Sequence, residues 1–197
     1  MQYSGALTRE QFMFQEMRIV AKMKLEGLDD SAILSRAYDE NLFQYPTERE
    51  IKSKCRACLK RLASIADMPY VMETLAHGSI SEAKQAALVA MMCQSLLMQD
   101  FMITVIGDKY RRLDMTLTRR DMNLFFDRLA EQSEDVASWS DQTIQRLKGV
   151  IRACLRETEY IRGMEETLYP VLIGDEMTAE LKSAGHRNFL PAFNVLD

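Results

Sequence analysis

The sequence contains few of the residues that interrupt helices. It has eight glycines and four prolines among 197 residues, against fourteen methionines. Because glycine and proline are the strongest breakers of regular structure, their scarcity favours helices over strands. The glycines also stand singly along the chain. No glycine-rich phosphate loop of the Walker or dinucleotide-binding kind is therefore present.

Histidine and cysteine are scarce as well, which removes most catalytic chemistry. The two histidines, His77 and His186, each lie beside a glycine in a predicted loop or cap, and no nucleophile–histidine–acid triad is indicated. Cys55 and Cys58 have the spacing of half a zinc site, but two more ligands would have to come from distant parts of the chain. Both fall on an apolar helix face, so we expect free, metal-less cysteines in the core. The sequence predicts no enzyme, no metal site and no cofactor.

No secretory signal or membrane span is indicated either. The first residues, MQYSGALTREQ, lack the basic and then apolar pattern of a signal peptide. The most apolar stretch is free of charge over only 15 residues, 85–99, whereas a span needs about 20 apolar residues. Four cysteines in a chain of this length do not form a disulfide framework. We expect a cytoplasmic protein in a reducing compartment, without membrane contact.

Neither sign of charge dominates. The chain has 25 basic and 29 acidic residues and a net charge of −4. This balance excludes a wholly basic DNA-coating protein and permits a local basic face. With 47% hydrophobic and 27% charged residues, the composition is that of a globular protein with a real core, and the length allows one domain or two small ones.

The clearest functional signal is a basic helix predicted over residues 47–66. Thr47 fits its N-cap, with Glu50 in capping-box spacing. Residues 47–61 include six basic and two acidic side chains, a local balance of +4. The cations Arg49, Lys52, Arg56 and Lys60 gather on an arc beside the apolar face. Such an arc suits a phosphate backbone, although a solvated helix face is the commoner origin of a charge run.

A second basic helix is predicted over residues 140–160. It aligns Lys148, Arg152 and Arg156 at intervals of four, near Gln145, and a further cluster precedes it at Arg111, Arg112, Arg119 and Arg120. The tetrapeptide RACL occurs in both basic helices, at 56–59 and 152–155. Coincidence explains tetrapeptides readily, but the pattern suggests two similar helix-turn-helix lobes that each present a basic helix. We predict all these cations, with Gln145, as nucleic-acid-binding residues.

The predicted fold is all-α, with two helical lobes. A first helix is expected over 7–26, within an N-terminal lobe of residues 1–80. A central helix over 81–106 would connect it, as the segment 81–107, to a C-terminal lobe of residues 108–197 with an acidic tail region. Strands are limited to short segments near 110–117 and 168–173. The apolar end, residues 189–197, should pack onto the body of the protein.

Long and unusual strings in the sequence resemble the BrxA family of bacterial BREX (bacteriophage exclusion) defence systems. The strings are SGALTREQFMFQEMRIVAKMKLEGL (4–28), ENLFQYPTEREIK (40–52), DFMITVIGDKYRRLDMTLTRRDMNLFFDRL (100–129) and LPAFN (190–194). The resemblance implies an all-helical, NusB-like protein that binds double-stranded DNA, has no catalytic activity of its own, and works with other BREX components against phage. It supplies no site residues, so the candidates above depend on charge and helix position.

Three functions follow as alternatives. The first is a non-catalytic, double-stranded DNA-binding accessory protein of phage defence. The second is a NusB-like RNA-binding protein, since phosphates are common to both nucleic acids. The third is a protein-interaction subunit whose basic helices dock on acidic partners. The sequence leaves the oligomeric state and the partner component open. Because arginine and lysine dominate the candidates, we expect little dependence on base sequence.

Overall fold

Polar side chains cap the two basic helices, at Thr47 as the sequence predicts and at Ser140. The Thr47 hydroxyl accepts a hydrogen bond from the Glu50 N–H at 3.3 Å, and the Ser140 hydroxyl accepts one from the Thr143 N–H at 3.2 Å. Each cap satisfies a backbone donor that the first helical turn leaves without a partner. The two basic helices therefore begin at Glu48 and Asp141.

The structure of the chain is a computed structural model, and it describes residues 2–195. Within that range it has twelve α-helices and no strand. In chain order the α-helices are α1 (Leu7–Glu10), α2 (Phe14–Leu25), α3 (Asp30–Asp39), α4 (Glu48–Ala63), α5 (Pro69–His77), α6 (Ile80–Gln94), α7 (Leu96–Phe101), α8 (Asp108–Arg111), α9 (Arg119–Gln132), α10 (Glu134–Ala137), α11 (Asp141–Glu157) and α12 (Asp175–Ser183). A π-helical segment, Met102–Gly107, joins α7 to α8, and a 3-10 helix spans Arg187–Phe193. The predicted all-α class is confirmed.

The chain forms two compact units. The N-terminal unit is Phe12–Gln94, and the C-terminal unit consists of the described parts of Met1–Gln11 and Ser95–Asp197. These divisions differ from the expected limits at residues 80 and 107. Met1, Leu196 and Asp197 lie outside the described residues.

In the N-terminal unit, α6 is the central helix. It packs against α2, α4 and α5. Residues 85–93 are all buried, so beyond its exposed first turn this helix has no solvent face. Small side chains such as Ala83, Ala86 and Ala90 let its neighbours approach closely. Each large apolar side chain that reaches this core, such as Leu62 of α4, contributes about 1.5–3 kcal/mol by leaving water.

The C-terminal unit has a separate aromatic core. The rings of Phe101 and Phe125 meet edge to face with centroids 5.1 Å apart. The 3-10 helix closes this core, since Phe189 and Phe193 are fully buried and the Tyr160 hydroxyl donates to the Ala192 carbonyl at 2.9 Å. The described part of the apolar end therefore packs down as expected, whereas residues 196–197 lie outside the described range.

The first predicted helix, 7–26, is wrong as a single element. α1 ends at Glu10 and α2 begins at Phe14. Gln11 and Met13 have φ values of 46° and 52°, which no helix contains. Phe12, Met13 and Phe14 are all buried. The positive φ at Gln11 and Met13 interrupts the α-helical backbone, so α1 and α2 are separate helices. The apolar pattern of the sequence gives no sign of this interruption.

The single central helix predicted over 81–106 is also wrong. α6 ends at Gln94, and Ser95 adopts an extended conformation in which its hydroxyl accepts from the Met98 N–H at 3.4 Å. A serine that caps a helix offers backbone donors an alternative to the preceding helix. The apolar composition continues across Ser95, so hydropathy alone does not reveal the break.

The predicted short strands are reduced to one antiparallel bridge, Thr116 to Thr167. The Leu117 N–H donates to the Glu166 carbonyl at 2.6 Å, and the Leu168 N–H donates to the Met115 carbonyl at 2.9 Å. Two hydrogen bonds fix the register of these segments without forming a sheet.

Across residues 2–195, no single helix is both long and apolar enough to cross a membrane. The helical segments on either side of Ser95, Ile80–Gln94 and Leu96–Arg111, meet the length and hydropathy criteria only when they are taken together.

Candidate nucleic-acid interface

One face of α11 carries the polar residues that the sequence singled out. The opposite side of this helix is apolar, with Leu147, Ile151, Cys154 and Leu155 fully buried. Residues three, four, seven and eleven positions apart share a helix face. The face away from the core is therefore formed by Gln145, Lys148, Gly149, Arg152 and Arg156.

This face forms one wall of a groove with a volume of about 720 Å³. The lining residues are Arg119, Met122 and Asn123 of α9, Gln145, Lys148, Gly149, Arg152 and Arg156 of α11, and Met164 and Glu166 from the segment after α11. Five of the predicted site residues therefore meet in one place. Arg119 comes from a helix more than twenty residues before the others.

The groove is strongly positive. Four cationic side chains, Arg119, Lys148, Arg152 and Arg156, line it with one acid, Glu166, which gives a formal charge of +3. The Lys148 ammonium donates to the Asn123 side-chain oxygen at 2.8 Å and lies 5.5 Å from the centre of the Phe126 ring. Both partners are neutral. Within the described residues, none of these four cations forms an ion pair, so their charge is available to an anionic ligand.

The antiparallel bridge positions the segment after α11 that completes the lining of the groove. It fixes the backbone of Glu166 against Leu117, directly before α9. Met164 lies two residues earlier, beyond Gly163 with its positive φ of 52°, and is 78% exposed. The lining of the groove therefore also includes an apolar methionine and a carboxylate.

The start of α9 is held by a buried lysine. The Lys109 ammonium lies 2.7 Å from a carboxylate oxygen of Asp114 and 3.1 Å from one of Asp121. Asp121 also completes a capping box with Thr118. Partial burial opposes ionisation of Asp121, but the hydrogen bonds from Thr118 and Lys109 outweigh it and hold the pKa of that carboxyl below its usual value. Lys109 is thus a structural cation.

The other arginines of the middle cluster lie apart from the groove. Arg111 pairs with Asp108. Arg112 lines a second, smaller cavity of about 280 Å³, together with Arg128. Arg120 is exposed on α9 but does not line the groove. Of the predicted cluster, the structure brings only Arg119 to the cations of α11.

The first basic helix, α4, presents a different surface. Arg49, Arg56 and Lys60 are exposed. Lys52 forms an ion pair with Glu48 one turn earlier, and its ammonium lies 4.5 Å from the centre of the Tyr38 ring. A sixth cation of the run, Arg61, is fully buried and donates to the Phe12 carbonyl at 2.7 Å. The local balance of +4 therefore overstates the charge that α4 presents to solvent.

The cysteines are core residues, as expected. Cys55, Cys58, Cys93 and Cys154 are all free and buried. Burial raises the pKa of Cys55 to about 11 and that of Cys58 further above its ordinary value. Both thiols are therefore protonated at neutral pH and are poor metal ligands. Among residues 2–195, no group of three or more histidine, cysteine or acidic side chains could hold a metal ion.

The sequence profile of BrxA matches residues 1–185. The chain belongs to the BrxA family. It is 31% identical to the BREX protein BrxA of Bacillus cereus (strain H3081.97) over 163 residues, which cover 83% of this chain and 80% of the relative. It is 24% identical to the BREX protein BrxA of Escherichia coli O9:H4 (strain HS), over 94% of this chain and 87% of that one. The resemblance drawn from the sequence is confirmed.

The fold also occurs in a solved structure. A crystal structure of an uncharacterized protein from Magnetospirillum magneticum superposes with a TM-score of 0.83, covers 100% of both chains, and shares 22% sequence identity. At that identity the likeness shows a common fold, and it carries no information on binding.

Several groove residues were not predicted from the sequence. Gly149 lies on the same helical stripe as Lys148 and Arg152, so helical spacing could have found it. Asn123, Met164 and Glu166 reach the groove only because α9 and the antiparallel bridge bring distant segments together. No local pattern signals such an arrangement.

Proposed function

We propose that this BrxA-family protein is a component of a BREX phage-defence system that binds double-stranded DNA through the groove between α9 and α11. The observation that carries the proposal is the convergence of four cations, without an ion pair in the described chain, on one groove of formal charge +3. A cluster of positive charges of this density attracts the negatively charged phosphate backbone of DNA, and binding releases the counterions of the DNA. The family membership supplies the biological setting.

Arginine and lysine in such a groove would contact phosphates and leave most bases unread. A guanidinium group binds phosphate oxygens through two parallel hydrogen bonds. The groove has three guanidinium groups, those of Arg119, Arg152 and Arg156. Gln145 and Asn123 are the groove residues with amide groups suited to a base edge, in particular that of adenine. We therefore expect binding that varies strongly with salt and weakly with sequence.

The exposed face of α4 is proposed as an auxiliary surface. Arg49, Arg56 and Lys60 can add long-range attraction to DNA. They line neither the groove between α9 and α11 nor the smaller cavity beside Arg112. The α3–α4 and α9–α11 segments remain candidates for helix-turn-helix units, and the α4 face could equally receive an acidic surface of another BREX component.

The proposal is tested by fluorescence anisotropy with a labelled 25-base-pair duplex, titrated at several salt concentrations. If three or four phosphates are neutralised, the slope of log affinity against log salt should be about −2.7 to −3.6. The variant R152E should bind more weakly and with a shallower slope. Its matched control is R146E, which makes the same charge change at an exposed position of α11 outside the groove.

Competition with unlabelled ligands separates the alternative functions. Structured RNA that displaces the duplex at equal or lower concentration would favour an RNA-binding protein. A flat binding curve with duplex and RNA alike would contradict the proposal and favour a subunit that contacts only proteins.

A further inference from the structure

Gly149 lies in the interior of α11, where glycine is unfavourable. Apart from proline, glycine is the poorest residue in the middle of a helix, because it loses the most conformational freedom on folding. Alanine at this position would keep the same helical backbone. The presence of glycine therefore calls for a reason outside the helix itself.

Packing does not supply that reason. At Gly107, an added Cβ would lie 3.1 Å from the Cβ of Pro191, and at Gly78 it would lie 2.6 Å from the Thr74 carbonyl oxygen. Those two glycines allow close approach within the fold. At Gly149, an added Cβ would meet no atom within 4 Å. Gly149 also lacks the positive φ that requires glycine at other positions of this chain.

The position of Gly149 in the groove supplies a reason for glycine at this site. It is exposed and lines the groove, with Lys148 directly before it and Arg152 one helical turn after it. The missing Cβ leaves more room between these two cations. Close approach of a ligand to a backbone is one of the uses for which proteins retain glycine.

We propose that one sugar–phosphate strand of the bound nucleic acid lies along α11 and approaches the protein most closely at Gly149, between Lys148 and Arg152. This inference rests on the proposed function and adds the path of the ligand. The backbone N–H groups of α11 are used within the helix, so Gly149 provides room and not a hydrogen-bond donor. The neighbouring cations supply the charge-assisted contacts to phosphate.

The first basic helix provides an internal comparison. Arg56 and Arg152 open the two RACL tetrapeptides, and the residue three positions before each is Ser53 and Gly149, respectively. Ser53 is exposed on α4. The close approach is therefore specific to α11, and Ser53→Ala is a control that improves helix propensity without altering the groove.

The test measures stability and binding in the same variants, Gly149→Ala and Gly149→Leu. Because alanine and leucine favour helices more than glycine does, the melting temperature of each variant should rise by about 2–4 °C. Duplex affinity should nevertheless fall, by about three- to tenfold for alanine and further for leucine, because the added atoms occupy the strand's path. The control S53A should bind as tightly as the wild type.

The outcomes separate this inference from the proposed function. If the wild type binds duplex, R152E weakens binding and Gly149→Ala and Gly149→Leu do not, then DNA binding stands and the close approach at Gly149 is wrong. If Gly149→Ala lowers the melting temperature, glycine has a structural role and the inference is likewise wrong. If the wild type does not bind duplex at all, both proposals fail together.

Discussion

The two basic helices share a sequence register and differ in what surrounds them. Lys52, Arg56 and Lys60 of α4 correspond, 96 residues later, to Lys148, Arg152 and Arg156 of α11. The Lys52 ammonium lies 4.5 Å from the centre of the Tyr38 ring, and the Lys148 ammonium lies 5.5 Å from the centre of the Phe126 ring. Each ring belongs to a neighbouring helix. The local chemistry along each helix is therefore similar.

The two helices differ in the partners of Lys52 and Lys148. Lys52 is paired with the carboxylate of Glu48, whereas Lys148 donates to the neutral amide of Asn123. An exposed ion pair adds little stability, but it cancels the charge that a distant phosphate would feel. In addition, α9 brings Arg119 to the α11 cations. A count of charges in the sequence ranks α4 first, and the surroundings of each charge reverse that order.

The largest expected effect comes from charge reversal in the groove. The variant R152E/R156E should bind duplex DNA about 100-fold more weakly, because each arginine loses a charge-assisted phosphate contact. The salt slope should become shallower by about 1.8. Anisotropy titrations would measure both quantities. The control K22E/R146E has the same net charge and exposed sites outside the groove, and a similar loss in that control would indicate a nonspecific charge effect.

The next effect concerns the stability of the groove wall. Asp121→Asn should lower the free energy of unfolding by about 1–2 kcal/mol, since the helix cap weakens and the buried Lys109 loses one of its two carboxylates. The lowered pKa of Asp121 means that its ionised form favours the folded state. That contribution is present above the ordinary aspartate value of about 3.9 and is lost as pH falls through the lower native pKa.

Urea unfolding of wild type and variant at neutral and acidic pH would check this. The difference between the two proteins should shrink as the pH falls below about 4. A difference that stays constant with pH would show that ionisation of Asp121 does not contribute. Glu131→Gln, an exposed change on the same helix, is the matched control.

Charge reversal on α4 should have a smaller effect than in the groove. We expect K52E/R56E to weaken duplex binding about three- to fivefold through long-range attraction. The protein should stay folded because neither side chain is part of the apolar core. Binding indistinguishable from wild type, with an unchanged salt slope, would show that α4 is only a solvated face. A loss equal to that of R152E/R156E would remove the distinction between the two helices.

The smallest effect is expected from removal of the acid in the groove. Glu166→Gln takes away the one carboxylate among the residues that line the groove, so duplex affinity should rise about two- to threefold. Removing the partner of Lys52 by Glu48→Gln should raise it less. Equal affinities for Glu166→Gln and the wild type at low salt would mean that no phosphate passes near that residue.

Much of the helical fold followed from the sequence, and the two breaks did not. Thr47 was identified as a cap because its side chain precedes an amphipathic stretch, and its hydroxyl does cap α4. The break at Gln11–Met13 depends on positive φ values at Gln11 and Met13, which local periodicity does not reveal. Ser95 interrupts an apolar stretch whose composition is helical on both sides.

The candidate site, too, followed from the sequence only in part. The α11 stripe followed from helical spacing, because it lies on a single element. Its opposite wall depends on the Thr116–Thr167 bridge and on α9, contacts between residues far apart in sequence. The pairing of Lys52 with Glu48 was accessible from their four-residue spacing, and it would have lowered the rank of α4.

The central claim is that duplex DNA lies on the α11 face, and lysine footprinting of the wild-type protein tests it most directly. Lys148, Lys52 and Lys22 would be modified with an acylating reagent, with and without saturating 25-base-pair duplex, and quantified by mass spectrometry. We predict that DNA slows modification of Lys148 about tenfold, slows that of Lys52 less, and leaves the control Lys22 unchanged. Modification of Lys148 at the same rate with and without bound DNA would contradict the account.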